Sequence, residues 1–124
     1  MSAWGYHLVL DCNDCDLSAM KNREHIIKFT KQLVKDIDMT AYGEPQVVHF
    51  GTGDKEGYTL LQLIETSNIC GHFANDRHQI FLDVFSCKEF NKDKVIELVD
   101  KYFIPGNILI RELERGREYN ETQT

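Results

Sequence analysis

The chain has 124 residues, 42% hydrophobic and 27% charged, enough apolar material for one domain around a single core spanning residues 1–124. A net charge of −6 with no Lys/Arg-rich stripe excludes a nucleic-acid binder, and an acidic balance of this kind tolerates a cationic ligand. No apolar run reaches the length of a membrane span, and "MSAWGYHLVL" has no basic region ahead of an apolar stretch, so a soluble cytoplasmic protein is expected, with no membrane partner.

The first element is a short β-rich run, "GYHLVLD" (Gly5 to Asp11), ending in the turn-like "CNDCD". Cys12 and Cys15 form a CxxC there. A metal site needs a second ligand pair at similar spacing and a redox site needs a helix opening at the motif; with neither present, both cysteines read as part of a plain turn. From Ser18, read as the N-cap, Ile26, Thr30, Leu33, Val34 and Ile37 recur at helical spacing, with Lys28, Lys31 and Lys35 on the opposite side. That helix is expected to stop near "DIDMTAYGEP", where Gly43 and Pro45 break it. The strand-like "QVVHF" leads into "GTGDKEG", whose glycines permit a tight reversal. Strands "YTLLQLIE", "SNICGHF" and "QIFLDVFS" follow, with "ANDRH" turning between the last two. A second helix from Asn91 presents Val95, Leu98, Val99, Tyr102 and Phe103 on one face, and "ILIREL" is a last strand before a polar, frayed tail over residues 115–124.

This order predicts an α+β domain: a two-layer sandwich with two helices on one face of a largely antiparallel sheet. Because "LLQLI" is apolar at nearly every position, the other face is expected to be covered as well, by a second copy packed sheet on sheet in a homodimer.

One strand gathers unusual chemistry. "IETSNICGHF" (Ile64 to Phe73) carries hydroxyl, amide, thiol and imidazole groups, and Cys87 follows in "LDVFSC". Alone, a serine, a histidine and a cysteine are more often structural than catalytic. Their setting is more specific. "GYHLVLD" with "CD", "VVHF", the series Ser67-x(4)-His72-x(14)-Cys87 and the terminal "RELERG" occur in that order. From Trp4 to Gly116 the chain resembles the small prokaryotic, pyruvoyl-dependent class of S-adenosylmethionine decarboxylase.

The resemblance implies a zymogen that cleaves itself between Thr66 and Ser67 and makes its pyruvoyl cofactor from Ser67. Thr59 matches a hydroxyl used in processing, and His72 the histidine that moves protons during it. The ketone so formed would take the substrate's amine as a Schiff base and accept electrons as CO2 leaves. Cys87 matches the proton donor; without Ser67 at the family spacing it would read as a buried small hydrophobe. Phe50 and His72 match the rings that sandwich adenine, and Asp76 the acid that holds the ribose hydroxyls, one methylene shorter than the usual Glu. The sulfonium of S-adenosylmethionine would be drawn to the Phe50 ring face. The product would be the aminopropyl donor for spermidine biosynthesis.

Three departures keep alternatives open. Thr66 stands where the family has Glu, Asn68 where it has His, and the Trp-Pro before the acid is replaced by Ala74-Asn75. Glu65 is one residue early, on the other face of a strand, and the β-branched Thr66 would crowd the attack. The same fold and pyruvoyl chemistry acting on arginine or ornithine is therefore an alternative, as is an unprocessed homologue that binds S-adenosylmethionine without catalysis.

Overall fold

In the computed structural model, which describes residues 3–117, six strands and three helices follow one another along the chain. They are β1 (Gly5–Asn13), α1 (Leu17–Met20), α2 (Arg23–Asp36), β2 (Ala41–Phe50), β3 (Gly57–Ile64), β4 (Ser67–Ala74), β5 (Gln79–Ser86), α3 (Lys92–Phe103) and β6 (Asn107–Arg115). The strands form one sheet in the order β2-β3-β4-β5-β1-β6, with every neighbouring pair antiparallel. The α+β class and the antiparallel sheet are as the sequence predicts.

Alternation explains which face is which. Along β5, Ile80, Leu82, Val84 and Ser86 are buried while Gln79, Phe81, Asp83 and Phe85 face the other way. The ladders carry this phase across the sheet: Leu82 lies opposite Gly71 of β4 and Leu10 of β1. Onto that face the helices lower their apolar stripes, Ile26, Phe29 and Leu33 from α2 and Val95, Val99 and Phe103 from α3. Phe29 and Phe103 meet edge to face, 5.0 Å between centroids, and each large side chain so buried contributes on the order of 2 kcal/mol. None of the described helices lies on the opposite face. It leaves Val48, Phe50, Leu63, Leu109 and Leu113 exposed.

Several boundaries differ from expectation. A third, four-residue helix precedes the two long ones: Asp16 caps it, Ser18 lies inside it, and Asn22 caps α2 by accepting the His25 N–H. Helix α2 stops at Asp36, where the expected stretch "DIDMTAYGEP" begins, but with Asp38 left-handed and before Gly43 or Pro45 is reached. Those two residues sit instead where the register of β2 shifts between Tyr42 and Gln46, tolerable because β2 is an edge strand with no second partner needing the missing proline N–H. Cys12 is not in a turn. It continues the inward phase of Leu8 and Leu10 and is fully buried, as is Cys15 just beyond; burial pushes their thiols up to about 12 and about 11. Strand β6 extends to Arg115, opposite Gly5, and residues 118–124 of the expected tail lie outside the described ones. Among the described residues no helix is long and apolar enough to cross a membrane.

Candidate active site

Two clusters lie at opposite ends of β4. The first is at the turn between β3 and β4. Ile64 pairs with Ser67, so Glu65 and Thr66 alone form the loop and Ser67 opens β4. The Thr66 carbonyl accepts the backbone N–H of Cys87 at 3.0 Å, which ties the Thr66–Ser67 bond to the end of β5. Across that ladder Ser67 faces Ser86. The Thr66 hydroxyl is engaged from the side: the Ser86 hydroxyl donates to it at 2.7 Å, and it lies 3.3 Å from the Met39 sulfur. Thr66 is thus held by its own contacts. The Asn68 amide donates to the Ser67 hydroxyl oxygen at 3.3 Å, and its oxygen accepts the Cys70 thiol at 3.4 Å. Partial burial and the neighbouring Asp83 raise that thiol, keeping it a protonated donor. Cys87 itself is exposed and free.

The second cluster belongs to the uncovered face. Thr59 of β3 lies directly opposite His72 of β4. Its hydroxyl is 2.8 Å from Nδ1, and Nε2 is 3.0 Å from the Lys55 carbonyl oxygen. A carbonyl only accepts, so in the neutral ring Nε2 carries the proton and Nδ1 takes the Thr59 O–H. Lys55 is placed by a 3-10 turn, Gly53–Lys55, and by Gly57, where a Cβ would meet the Phe73 carbonyl oxygen at 1.6 Å. The Phe50 ring is 6.2 Å from the imidazole at 45°, within about 1 Å of the roughly 7 Å that a flat base stacked on both rings would need. Asp76 is exposed on the turn Asn75–Arg77 and lines a cleft of about 200 Å³ with Leu17, Lys21, Glu56, Asn75 and His78; neither Phe50 nor His72 is among its walls. Glu56 there bonds His49 and Asn75, and the His49 contact holds its carboxyl below the usual carboxylate range, favouring the ionised form.

The geometry joins Thr66, Ser67 and Cys87, and separately Phe50, Thr59 and His72. It does not join the two groups within one chain. Five residues along a strand span about 17 Å, and an odd step puts Ser67 and His72 on opposite faces. Sequence reasoning missed Ser86 and Met39. Ser86 had a signal, a hydroxyl in phase with the buried Ile80, Leu82 and Val84; Met39, in a connecting segment, had none.

Residues 6–116 match the family described as S-adenosylmethionine decarboxylase. The S-adenosylmethionine decarboxylase proenzymes of Clostridium botulinum strains Langeland and Hall are each 27% identical over 114 residues, 91% of this chain and 95% of the relative. The crystal structure of the adenosylmethionine decarboxylase from Aquifex aeolicus VF5 superposes with a TM-score of 0.82, covering 96% of both chains at 21% identity, a likeness of fold.

Proposed function

The chain belongs to the S-adenosylmethionine decarboxylase family, and we propose that it cleaves itself between Thr66 and Ser67 and then decarboxylates S-adenosylmethionine. The observation that carries this reading is the grip of the Cys87 N–H on the Thr66 carbonyl, beside a serine that opens a strand. Attack by the Ser67 hydroxyl on the Thr66 carbonyl carbon forms a C–O bond and breaks the C–N bond, leaving an ester and a free Ser67 amine. The developing oxyanion already has a donor in the Cys87 N–H at 3.0 Å. Loss of the Ser67 Cα proton then expels Thr66 as a carboxylate, and water replaces the nitrogen of the resulting enamine, releasing ammonia.

A pyruvoyl group at residue 67 supplies an electron sink next to the carbon that loses CO2. The residues present fit such a group. Cys87, which follows Ser86 opposite Ser67 at the end of β5, is the group we assign to return a proton to the substrate carbon. Phe50 and His72 offer flat faces for adenine, with the electron-rich Phe50 ring facing a sulfonium; Asp76, matched to the acid that holds the ribose hydroxyls by the family resemblance alone, lines the separate cleft beside Glu56.

The separation of the clusters supports a homodimer. With Thr59 and His72 on the uncovered face, a second copy laid sheet to sheet in the opposite direction would bring its His72 towards the Ser67 end of the first. The exposed Val48, Leu63, Leu109 and Leu113 give such a contact an apolar core. Thr59 then orients the imidazole that shuttles protons during cleavage in the other chain.

The test is the intact mass of freshly purified protein beside Ser67→Ala. Two fragments, the second blocked by a pyruvoyl group and both missing in the variant, are expected; a single stable 14.4 kDa species would overturn the reading. Mixing Ser67→Ala and His72→Ala chains should restore cleavage of the His72→Ala chain alone, and failure would place both residues in one protomer's site. Release of CO2 from arginine or ornithine but not from S-adenosylmethionine would replace the substrate.

A further inference from the structure

Ser86 occupies an inward position of β5 and is fully buried, yet it carries a hydroxyl among aliphatic neighbours. A buried hydroxyl is costly unless bonded. Here it is bonded twice. Its O–H donates to the Thr66 hydroxyl oxygen at 2.7 Å, and its oxygen accepts the Lys88 N–H at 3.0 Å. The Thr66 hydroxyl is then directed at the Met39 sulfur, 3.3 Å away, which also lies 3.8 Å from the Ser86 oxygen. With the Cys87 N–H on the Thr66 carbonyl, the end of β5 grips Thr66 by its side chain and by its peptide. A β-branched side chain is stiff about χ1, so fixing its hydroxyl also fixes how its carbonyl is presented.

We propose that Ser86 is a positioning residue for self-cleavage: its hydroxyl locks Thr66 so that the Thr66 carbonyl carbon stays turned to the Ser67 hydroxyl with its oxygen on the Cys87 N–H. The inference rests on the self-cleaving function proposed above and explains how a chain with threonine before the serine presents its scissile peptide. The threonine hydroxyl is the handle. The lock acts only on the intact chain, because cleavage turns Thr66 into a free C-terminus that takes no part in decarboxylation.

That timing separates positioning from general structural support. In a time course of chain cleavage by intact mass, Ser86→Ala should cleave up to about tenfold more slowly, the worth of one intramolecular hydrogen bond. Its CO2 release per mole of pyruvoyl formed should equal that of the unaltered enzyme. Ser86→Thr should restore the cleavage rate. Thr66→Val should be slow and Thr66→Ser fast, and the double variant Ser86→Ala/Thr66→Val should be no slower than Thr66→Val alone. Cleavage of Ser86→Ala at the unaltered rate, or an equal loss of cleavage and of turnover per pyruvoyl, would overturn the proposal while the parent chain still cleaved. A parent chain that never cleaves would instead remove the function on which the proposal stands.

Discussion

Gly57→Ala tests how the fold builds the Thr59–His72 pair. Gly57 opens β3 with a φ of +156°, and a Cβ there would lie 1.6 Å from the Phe73 carbonyl oxygen and 2.8 Å from its carbon. Both are backbone atoms of the neighbouring strand, so no side chain can swing aside. Real Cβ contacts stay beyond 3.0 Å, so β3 and β4 would have to part by at least 1.4 Å, the difference between 3.0 and 1.6. Overpacking of this kind costs about 1–3 kcal/mol, and a side chain in a sparsely populated backbone region adds about 1–3 kcal/mol. The sum, about 4 kcal/mol, is a large share of the roughly 5–15 kcal/mol that holds a domain folded. The assay is urea unfolding at one protein concentration in a Ser67→Ala background, where the chain is a single polypeptide. A loss below about 1 kcal/mol would refute the reasoning, since it would mean that the strands are not held at the approach described. Because His72 is the residue before Phe73, the same change should slow cleavage in the Ser67 chain.

Thr59→Val removes the hydroxyl that bonds His72 Nδ1 while keeping the side chain's shape, and should slow self-cleavage by about tenfold, with Thr59→Ser close to unaltered in the same mass time course. The buried thiols predict an alkaline limb: unfolded cysteines ionise near 9, but folded Cys12 and Cys15 only near 12 and 11. The unfolded chain therefore loses protons first and stability falls as pH rises above 9, with a slope in urea titrations that Cys12→Ala should reduce. Iodoacetamide at mildly alkaline pH should alkylate the exposed Cys87 well before Cys12 or Cys15, and should stop CO2 release while leaving already cleaved chains cleaved; peptide mapping reads the first outcome and turnover the second.

How far these features are legible in the sequence depends on whether local pattern or pairing decides them. The strand character of "QIFLDVFS" is a local property and is legible, but its faces are less so, because Phe81 and Phe85 point outward and Ser86 inward. The end of β1 is not legible, because Asn13 and Asp14 have turn chemistry, whereas the inward phase of Leu8 and Leu10 runs on through Cys12. Gly43 and Pro45 suit a helix stop and an edge-strand irregularity equally well, and only the partner strand β3 selects the second. In the site, the Thr59–His72 pair follows once the loop is known to be two residues long, because counting outward from Glu65 and Thr66 brings the two opposite each other. The odd step from Ser67 to His72 was also open to reading. The contacts of Ser86 and Met39 with Thr66 were not, since Met39 arrives from the connection between α2 and β2, remote in the chain from both.

The strand order gives the cut between β3 and β4 a further meaning. It would leave β1, β2 and β3 on one piece and β4, β5 and β6 on the other, yet in the sheet β1 lies between β5 and β6. Three of the five strand pairings, β3–β4, β1–β5 and β1–β6, would then join the two pieces. Neither could leave without tearing the sheet at its centre, so maturation would not loosen the native structure. Unfolding, however, would become a separation of two molecules, and recovery an encounter whose rate depends on concentration. The intact chain is thus its own assembly template: it folds as one polymer with its ends at a fixed effective concentration, and the cut erases that advantage once it has been used.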